Sequence, residues 1–533
     1  MYILAKVAVV LLISLLVMVQ GGLPGPQVIA TQGAVWPRPQ QQNISSENYF
    51  VLRPKKFTFA KLNGTETCGL LESAFTRYYE VLQQDAKMTR KKLKKIALGD
   101  GFLGYLDELK INLTGKCIDA EYPTLDMDES YKLWVTNERV ELQAVTLWGI
   151  LRGLETFSQL VHLDNQESFL RINSSTIKDF PRYKHRGLLI DSSRHFLTLE
   201  KILRTLDAMV YNKMNALHWH IVDDQSFPFV SVKFPELSQK GAYHPYTKVY
   251  SPEDVKYIIK YARVRGIRVL PEFDTPGHTA SWGQSHPELL TPCEIFATYG
   301  PMDPSKDTTF TFLQEFFTEI RGVFKDNFIH LGGDEVDFSC WQQSDNITSF
   351  MKTHSIATYE ALESYYIQKV MDLVEKLQYN SIVWQEVFSN GAKLPENTLV
   401  HVWKRVDWKD TLKNVTASGK QALFSACWYL DTLNSGGDWE DFYYCDPSEF
   451  DGTAQEEELI LGGEACMWGE VVNDYNLISR VWPRASAVAE KLWSPYSDSY
   501  DLDEPRKRLE EHTCRMNRRG VEAEPPNGPG FCN

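Results

Sequence analysis

Two acids, Asp334 and Glu335, stand side by side where an apolar run gives way to two glycines in FIHLGGDEVDFSCW, residues 328–341. Neighbouring side chains on a regular strand point to opposite faces, so a strand alone would not aim both carboxylates at one bond. Paired glycines relax that constraint, because they let the backbone bend or a ring approach closely, and both acids can then enter one cavity. Chemistry of the same kind ends the other apolar runs: Asp191 and Arg194, His218 and His220, Asp223 and Asp224, Asp274 and His278, Trp384 and Glu386, Trp403, Tyr429 and Asp431, Trp468 and Glu470. Carboxylates, an arginine and several indoles suit a carbohydrate. Indole faces stack on the apolar faces of sugars, while acids and arginine take hydroxyls in charge-assisted hydrogen bonds. His218 and His220 share one strand face without a further ligand set at zinc-like spacing; they read as barrel-lining histidines held by acids, and no metal is expected. No glycine-rich loop leads into a helix with the required Lys and Ser/Thr, so a phosphate-bearing cofactor is not expected.

The elements that must position these residues follow from periodicity. From Arg186 onward, RGLLIDSSR, NALHWHIVDD, RGIRVLPEFD, NFIHLGGDE, NSIVWQEV, TLVHVWK, QALFSACWY and LILGGEACMWGE alternate with helical patterns. Strands alternating with helices predict an α/β fold with a parallel sheet, here a (β/α)8 TIM barrel; a doubly wound open sheet is the alternative. The barrel places the polar run ends together at the C-terminal mouth, with Asp334 and Glu335 at the end of the fourth strand. The competing reading makes one acid catalytic and the other a cap of the next helix. Upstream, residues 23–180 read as a smaller α+β domain. YKLWVT, a turn at Asn137 and VELQAV predict a hairpin, and Leu147, Ile150, Leu151, Leu154, Phe157 and Val161 predict a helix with one face for a sheet. DFPRYKHRG, residues 179–187, opens the catalytic unit at 181–533.

Composition sets the compartment. A short n-region with Lys6 and an apolar Val7–Val19 stretch predict a cleaved secretory signal over residues 1–22, too short for the roughly 20 apolar residues of a membrane span. Sequons at Asn43, Asn63, Asn112, Asn173, Asn346 and Asn414 agree with secretory passage and predict glycosylation. A chain of 533 residues exceeds one core, and a net charge of -14 argues against nucleic acid as a partner. The basic run KMTRKKLKK, residues 87–95, reads as solvated surface. Nine cysteines predict disulfides with at least one thiol left over.

DSSRHF, NALHWHIVDDQSFP, RVLPEFDTPGHTASW, HLGGDEVDFSCW, IVWQEVF, ACWYLD and GGEACMWGE, in that order, resemble the β-N-acetylhexosaminidases of glycoside hydrolase family 20, and within it the animal lysosomal branch. The likeness spans nearly the whole chain after the leader and implies an N-terminal α/β domain beside a catalytic barrel. It implies retention of configuration without an enzyme nucleophile, an exception to the rule of two flanking carboxylates. The sugar's own acetamido carbonyl attacks the anomeric carbon and forms an oxazolinium ion. By this resemblance Glu335 is the general acid and then the base, Asp334 holds the acetamido N–H, and Tyr429 bonds the acetamido oxygen. Arg194 and Asp223 would bind outer hydroxyls and Glu470 the 4- and 6-hydroxyl region, while Trp384, Trp403 and Trp468 would wall the pocket. His278, in the loop that begins at Asp274, would support Glu335 and tune its acidity. The resemblance pairs Cys68 with Cys117, Cys293 with Cys340 and Cys514 with Cys532, and leaves Cys466 free. Cys427 and Cys445 are extra to it, and whether they join stays open. It also implies a homodimer or a heterodimer with a related subunit, and lysosomal rather than secreted placement.

The same family ties substrate charge to the pair of residues that follows the leucine after the tyrosine. Subunits that accept 6-sulfated substrates carry Asn-Arg there; the subunit restricted to neutral ones carries Asp and an apolar residue. Asp431 and Thr432 match the second pattern at the acid and neither at the threonine, which predicts preference for neutral terminal N-acetylglucosamine and N-acetylgalactosamine. Two other readings stand beside this one: an extracellular enzyme acting on chitin oligosaccharides, and an inert carbohydrate-binding barrel.

Overall fold

The computed structural model describes residues 25–89, 98–164, 166–293, 298–432, 437–497 and 501–532. The signal segment 1–22 and the basic run from Arg90 onward lie outside the described residues.

The N-terminal sheet has the strand order β2-β4-β6-β5-β8-β1-β3, with β7 on β8. Its strands are β1 (Gln41–Leu52), β2 (Thr58–Lys61), β3 (Phe102–Leu106), β4 (Glu108–Leu113), β5 (Tyr131–Val135), β6 (Val140–Ala144), β7 (Val161–Leu163) and β8 (Leu170–Asp179). β5 and β6 form the expected hairpin with Val135 opposite Val140, closed by the Thr136 N–H to the Arg139 carbonyl at 2.8 Å. The helix α1 (Gly69–Lys87) and the helix α2 (Leu147–Leu160) cover one face of this sheet. α2 starts where the Thr146 hydroxyl accepts the Gly149 N–H, a side-chain cap for an otherwise orphaned donor. It ends one residue before the apolar pattern does, since Val161 is extended and pairs with Ile172 in the sheet. All of α2 is buried, its polar side included, because the barrel covers what the sheet does not. Across that boundary Arg186 bonds Glu129, which Arg152 of α2 also holds, Lys213 bonds Asp179, and Arg519 bonds Glu155, every one of these side chains nearly inaccessible to solvent.

All eight predicted runs become strands of a closed barrel: β9 (His185–Asp191), β10 (Ala216–Val222), β11 (Arg268–Phe273), β14 (Phe328–His330), β15 (Asn380–Trp384), β16 (Leu399–Val402), β17 (Gln421–Phe424) and β18 (Ile460–Met467). β18 closes on β9 in parallel, from Gly462 opposite His185 to Met467 opposite Ile190, which excludes the open sheet. An extra antiparallel hairpin, β12 (Leu290–Cys293) and β13 (Thr298–Met302), stands over the mouth after β11. Ala216, Leu270, Phe328, Ile382, Leu399, Leu423 and Leu461, one near the start of each of seven strands, plug the far end of the barrel.

The domain division at residue 180 is crossed near both ends of the chain. Trp36 lies in the barrel core, and Thr31, Gly33 and Ala34 donate to Glu511 of the last helix, Asp503–Arg518, so the first described segment runs along the catalytic unit. Disulfides join Cys68 to Cys117, Cys293 to Cys340, Cys427 to Cys445 and Cys514 to Cys532; Cys466 is a buried free thiol. Of the six sequons, Asn43, Asn63, Asn346 and Asn414 are exposed, whereas Asn112 donates its amide to Glu141 and Asn173 accepts from Arg171.

Candidate active site

The fourth barrel strand ends at His330, so Asp334 and Glu335 lie beyond it on an irregular segment and not at the strand's end. Gly332 at φ 69°, Gly333 at φ 89° and Glu335 at φ 50° all occupy the left-handed region. For the glycines this conformation is easily reached; for Glu335 it is strained, as it is for His278 at φ 56°. A side chain on Gly332 would collide with the Asp274 carboxyl, and the Gly333 N–H donates to that carboxyl at 2.8 Å. The turn breaks the strand's alternation and sends both acids into one cavity. The helix-capping alternative falls to Asp337, which accepts the Ser339 N–H at the start of the next short helix.

Both acids share that cavity, of about 140 Å³, with Asp274, His278 and Tyr429. Asp334 is buried, while the Glu335 side chain is 58 % exposed. Burial pushes the Asp334 carboxyl up to about 6, even though a hydrogen bond from Asp274 favours its charge. Burial and the Asp334 charge hold Asp274 well above the carboxylate range, so Asp274 keeps the shared proton and donates it. Asp334 Oδ1 has no partner, an acceptor held in place for a donor from a ligand. Tyr429 is pushed well above its ordinary value by burial and remains a neutral O–H donor. Its ring stacks on Trp403 at 5.8 Å, and Trp468 packs beside both.

A chain of alternating acids and imidazoles leads from Glu335 into the barrel. His278 Nε2 stands 3.8 Å from Glu335 Oε2, and His278 Nδ1 3.2 Å from Asp223 Oδ1. Asp223 Oδ2 bonds His220 Nε2 at 2.8 Å, and His220 Nδ1 meets Glu272 Oε2 at 2.6 Å. His218 then links Glu272 at 3.0 Å to Glu464 at 2.7 Å, and Glu464 reaches His185 at 2.7 Å. Burial opposes every charge here, yet Glu464 and Glu272 hold the His218 proton up to about 9. Hydrogen bonds from His220 and His278 overcome burial at Asp223 and keep it ionised far below the usual range. His330 stacks on His218 and His401 packs tilted against it, and both are held below the ordinary imidazole value by burial. The barrel's middle layer is therefore ionic, with its charges balanced within the chain.

Two of the expected residues have structural partners of their own. Trp384 is fully buried, donates to Glu272 at 2.8 Å and stacks on His401; it is the floor beneath the cavity and not a wall of it. Asp223 lines the cavity and has both oxygens engaged, by His220, His278 and Arg194, so it also braces Arg194. Arg194 bonds Asp191 and Asp223 at 2.8 Å each, lies 3.6 Å from Glu470 and rests over the Trp468 ring at 5.2 Å. Asp431 lines the cavity, is raised by burial and leaves Oδ1 without a partner. Glu386 accepts the Trp403 indole N–H at 2.9 Å and pairs with Lys404. Sequence reasoning missed Glu272, Glu464, His185, His330 and His401; the available signal was acids and histidines set inside otherwise apolar strand runs such as VLPEF and GGEAC.

Residues 183–496 match the catalytic domain of glycosyl hydrolase family 20, and residues 35–160 match a domain described as beta-acetyl hexosaminidase like. The chain is 47% identical over 538 residues to beta-hexosaminidase subunit beta of Homo sapiens, covering 99% of this chain and 95% of that one. It is 45% identical over 511 residues to beta-hexosaminidase subunit alpha of Rattus norvegicus, with 94% and 95% covered. A chitobiase structure from Flavobacterium johnsoniae superimposes with a TM-score of 0.78 at 30% identity, over 92% of this chain and 73% of the other. With an intact pair of acids in a closed barrel and relatives matched over almost its full length, the chain belongs to glycosyl hydrolase family 20 and is a glycosidase of the β-hexosaminidase type.

Proposed function

We propose that the enzyme removes single non-reducing terminal N-acetylglucosamine or N-acetylgalactosamine residues by substrate-assisted, retaining hydrolysis. The observation that carries this reading is Asp334: a buried carboxylate with an unpartnered oxygen, in one small cavity with Tyr429 and the exposed Glu335. An enzyme nucleophile would have to reach the anomeric carbon, whereas this acid is buried and fits an amide N–H. Glu335 donates its proton to the glycosidic oxygen as that bond breaks, and the acetamido carbonyl oxygen bonds to the anomeric carbon. Asp334 accepts the acetamido N–H and stabilises the positive charge of the oxazolinium ion, and the Tyr429 hydroxyl donates to the acetamido oxygen. Glu335, now a carboxylate, takes a proton from water, which opens the ring on the same face. Arg194 and Glu470 take the outer hydroxyls, with Trp403 and Trp468 against the sugar, and Asp223 and His278 orient Arg194 and Glu335. Asp431 turns an unpartnered oxygen to the cavity while nearby Lys404 is paired to Glu386 and Arg484 to Asp438, which favours neutral substrates.

The leader and sequons suit delivery to the lysosome. No helix among the described residues is long and apolar enough to cross a membrane. Relatives named as subunits support assembly with a second copy or a related chain. A thiazoline analogue of N-acetylglucosamine tests the mechanism: it should inhibit competitively and far more tightly than product, as a mimic of the cyclised intermediate. Trapping of a glycosyl ester on Glu335 or Asp334, seen by mass spectrometry, would replace this mechanism with a covalent one.

A further inference from the structure

A second cavity, of about 360 Å³, adjoins the sugar pocket and shares His278 and Glu335 with it. Because Glu335 stands at the boundary, a group bonded through the protonated glycosidic oxygen must extend from the first cavity into the second. One wall of that second cavity comes from the β12–β13 hairpin through Tyr299 and Gly300. The hairpin is tied to the segment carrying Glu335 by the Cys293–Cys340 disulfide and by the Trp341 indole N–H on the Met302 carbonyl at 3.2 Å. Gly300 lies so close to Cys340 that no side chain fits there, so hairpin and catalytic segment form one unit. The opposite wall is the loop of His278 and Ala280, whose N–H is held by Asp224 at 2.8 Å. The acidic side chains lining this cavity are Asp224, Glu335 and Asp337, beside His278; among the described residues it has neither lysine nor arginine.

We propose that this cleft is a leaving-group site that takes an uncharged or cationic sugar and discriminates against an anionic one, with Asp224 and Asp337 as the discriminating residues and Tyr299 as the surface against which the sugar ring lies. The proposal rests on the glycosidase reading above. When Glu335 is protonated for catalysis it is neutral, and the His278 cation at the edge is already bonded to Asp223, so the charge the cleft turns toward a departing sugar is that of the two aspartates. An ammonium on the departing sugar is attracted to them, and a sulfate is repelled. The effect of such half-exposed charges amounts to about tenfold for the pair.

The test compares three disaccharides of β1,4-linked N-acetylglucosamine that differ only in the departing sugar: N-acetylglucosamine, glucosamine, and N-acetylglucosamine 6-sulfate. At pH 6 the wild type should cleave the glucosamine compound at least as well as the neutral one, and the sulfated one about tenfold less well in kcat/KM. Asp337→Lys should move the ratio of sulfated to glucosamine substrate upward by about tenfold, and Asp224→Asn should move it the same way by less. Tyr299→Ala should raise KM for all three. Ratios between substrates are independent of how much of a variant folds. Cleavage of all three within twofold of each other, or ratios unmoved by Asp337→Lys, overturns the charge assignment. Release of N-acetylglucosamine from none of them by the wild type overturns the glycosidase reading instead.

Discussion

At the scale of single residues, two neighbouring acids differ because their surroundings differ. Asp334 is buried next to a protonated partner, and Glu335 stands half in solvent beside a histidine. Glu335→Gln keeps the shape and removes the transferable proton, so kcat on substrates with poor leaving groups should fall at least ~100-fold while the far-ultraviolet circular dichroism stays unchanged. Near-wild-type turnover would assign the proton to another group. Asp431 governs charge tolerance at the terminal sugar. An Asp431→Asn, Thr432→Arg double variant should raise kcat/KM for the 6-sulfated 4-methylumbelliferyl N-acetylglucosaminide relative to the unsulfated one, since it neutralises a carboxylate whose Oδ1 has no partner and places a cation beside it. The same ratio in both proteins would mean that Asp431 does not face the 6-position.

At the scale of elements, the segment after β14 does what no regular strand can. Two left-handed glycines turn consecutive acids into one cavity, and the carboxyl of Asp274 fills the space that a side chain at Gly332 would need. Gly332→Ala therefore meets both a conformational penalty and a collision. It should destabilise the protein by about 1–3 kcal/mol and lower kcat/KM by more than tenfold, read by thermal unfolding and by steady-state kinetics on the same preparation. Equal loss of activity and of folded protein would reduce the glycine to a purely structural role. The floor of the site is equally an affair of elements. Trp384 is locked between Glu272 and His401, and through that contact the ionic layer of the barrel holds the cavity from below.

At the scale of the molecule, proton uptake couples the site to stability. Burial raises Glu363 from an ordinary 4.5 to about 8, and His218, against the cost of burial, is raised from 6.5 to about 9 by Glu464 and Glu272. Both bind protons more tightly in the folded than in the unfolded chain. The stability each adds is complete below its unfolded pKa and is lost as pH rises through its folded one. The buried histidines with depressed values, such as His330 and His401, act only below about pH 6.5, where the unfolded chain takes up protons. Between pH 7 and 8.5 the raised groups dominate, so the melting temperature should fall across that window, and Glu363→Gln should flatten the fall. An unchanged slope in the variant would show that Glu363 ionises freely in the folded protein.

Periodicity alone determined the eight barrel strands, the β5–β6 hairpin and helix α2, because alternation and 3.6-residue spacing are local consequences of which faces must be buried. The acids, aromatics and arginine at the strand ends were legible for the same reason: the barrel's chemistry lies where its strands stop. Three things depended on tertiary structure. Asp223 became a brace because Arg194, His220 and His278, distant in sequence, converge on it. Trp384 became a floor because its indole finds Glu272 across the barrel at 2.8 Å. The ionic layer of Glu272, Glu464 and their histidines showed in each strand only as polar residues in an apolar run, with nothing in that strand to say what they pair with. A buried charge is tolerated only with its partner in place, and those partners come from strands that meet only when the barrel closes.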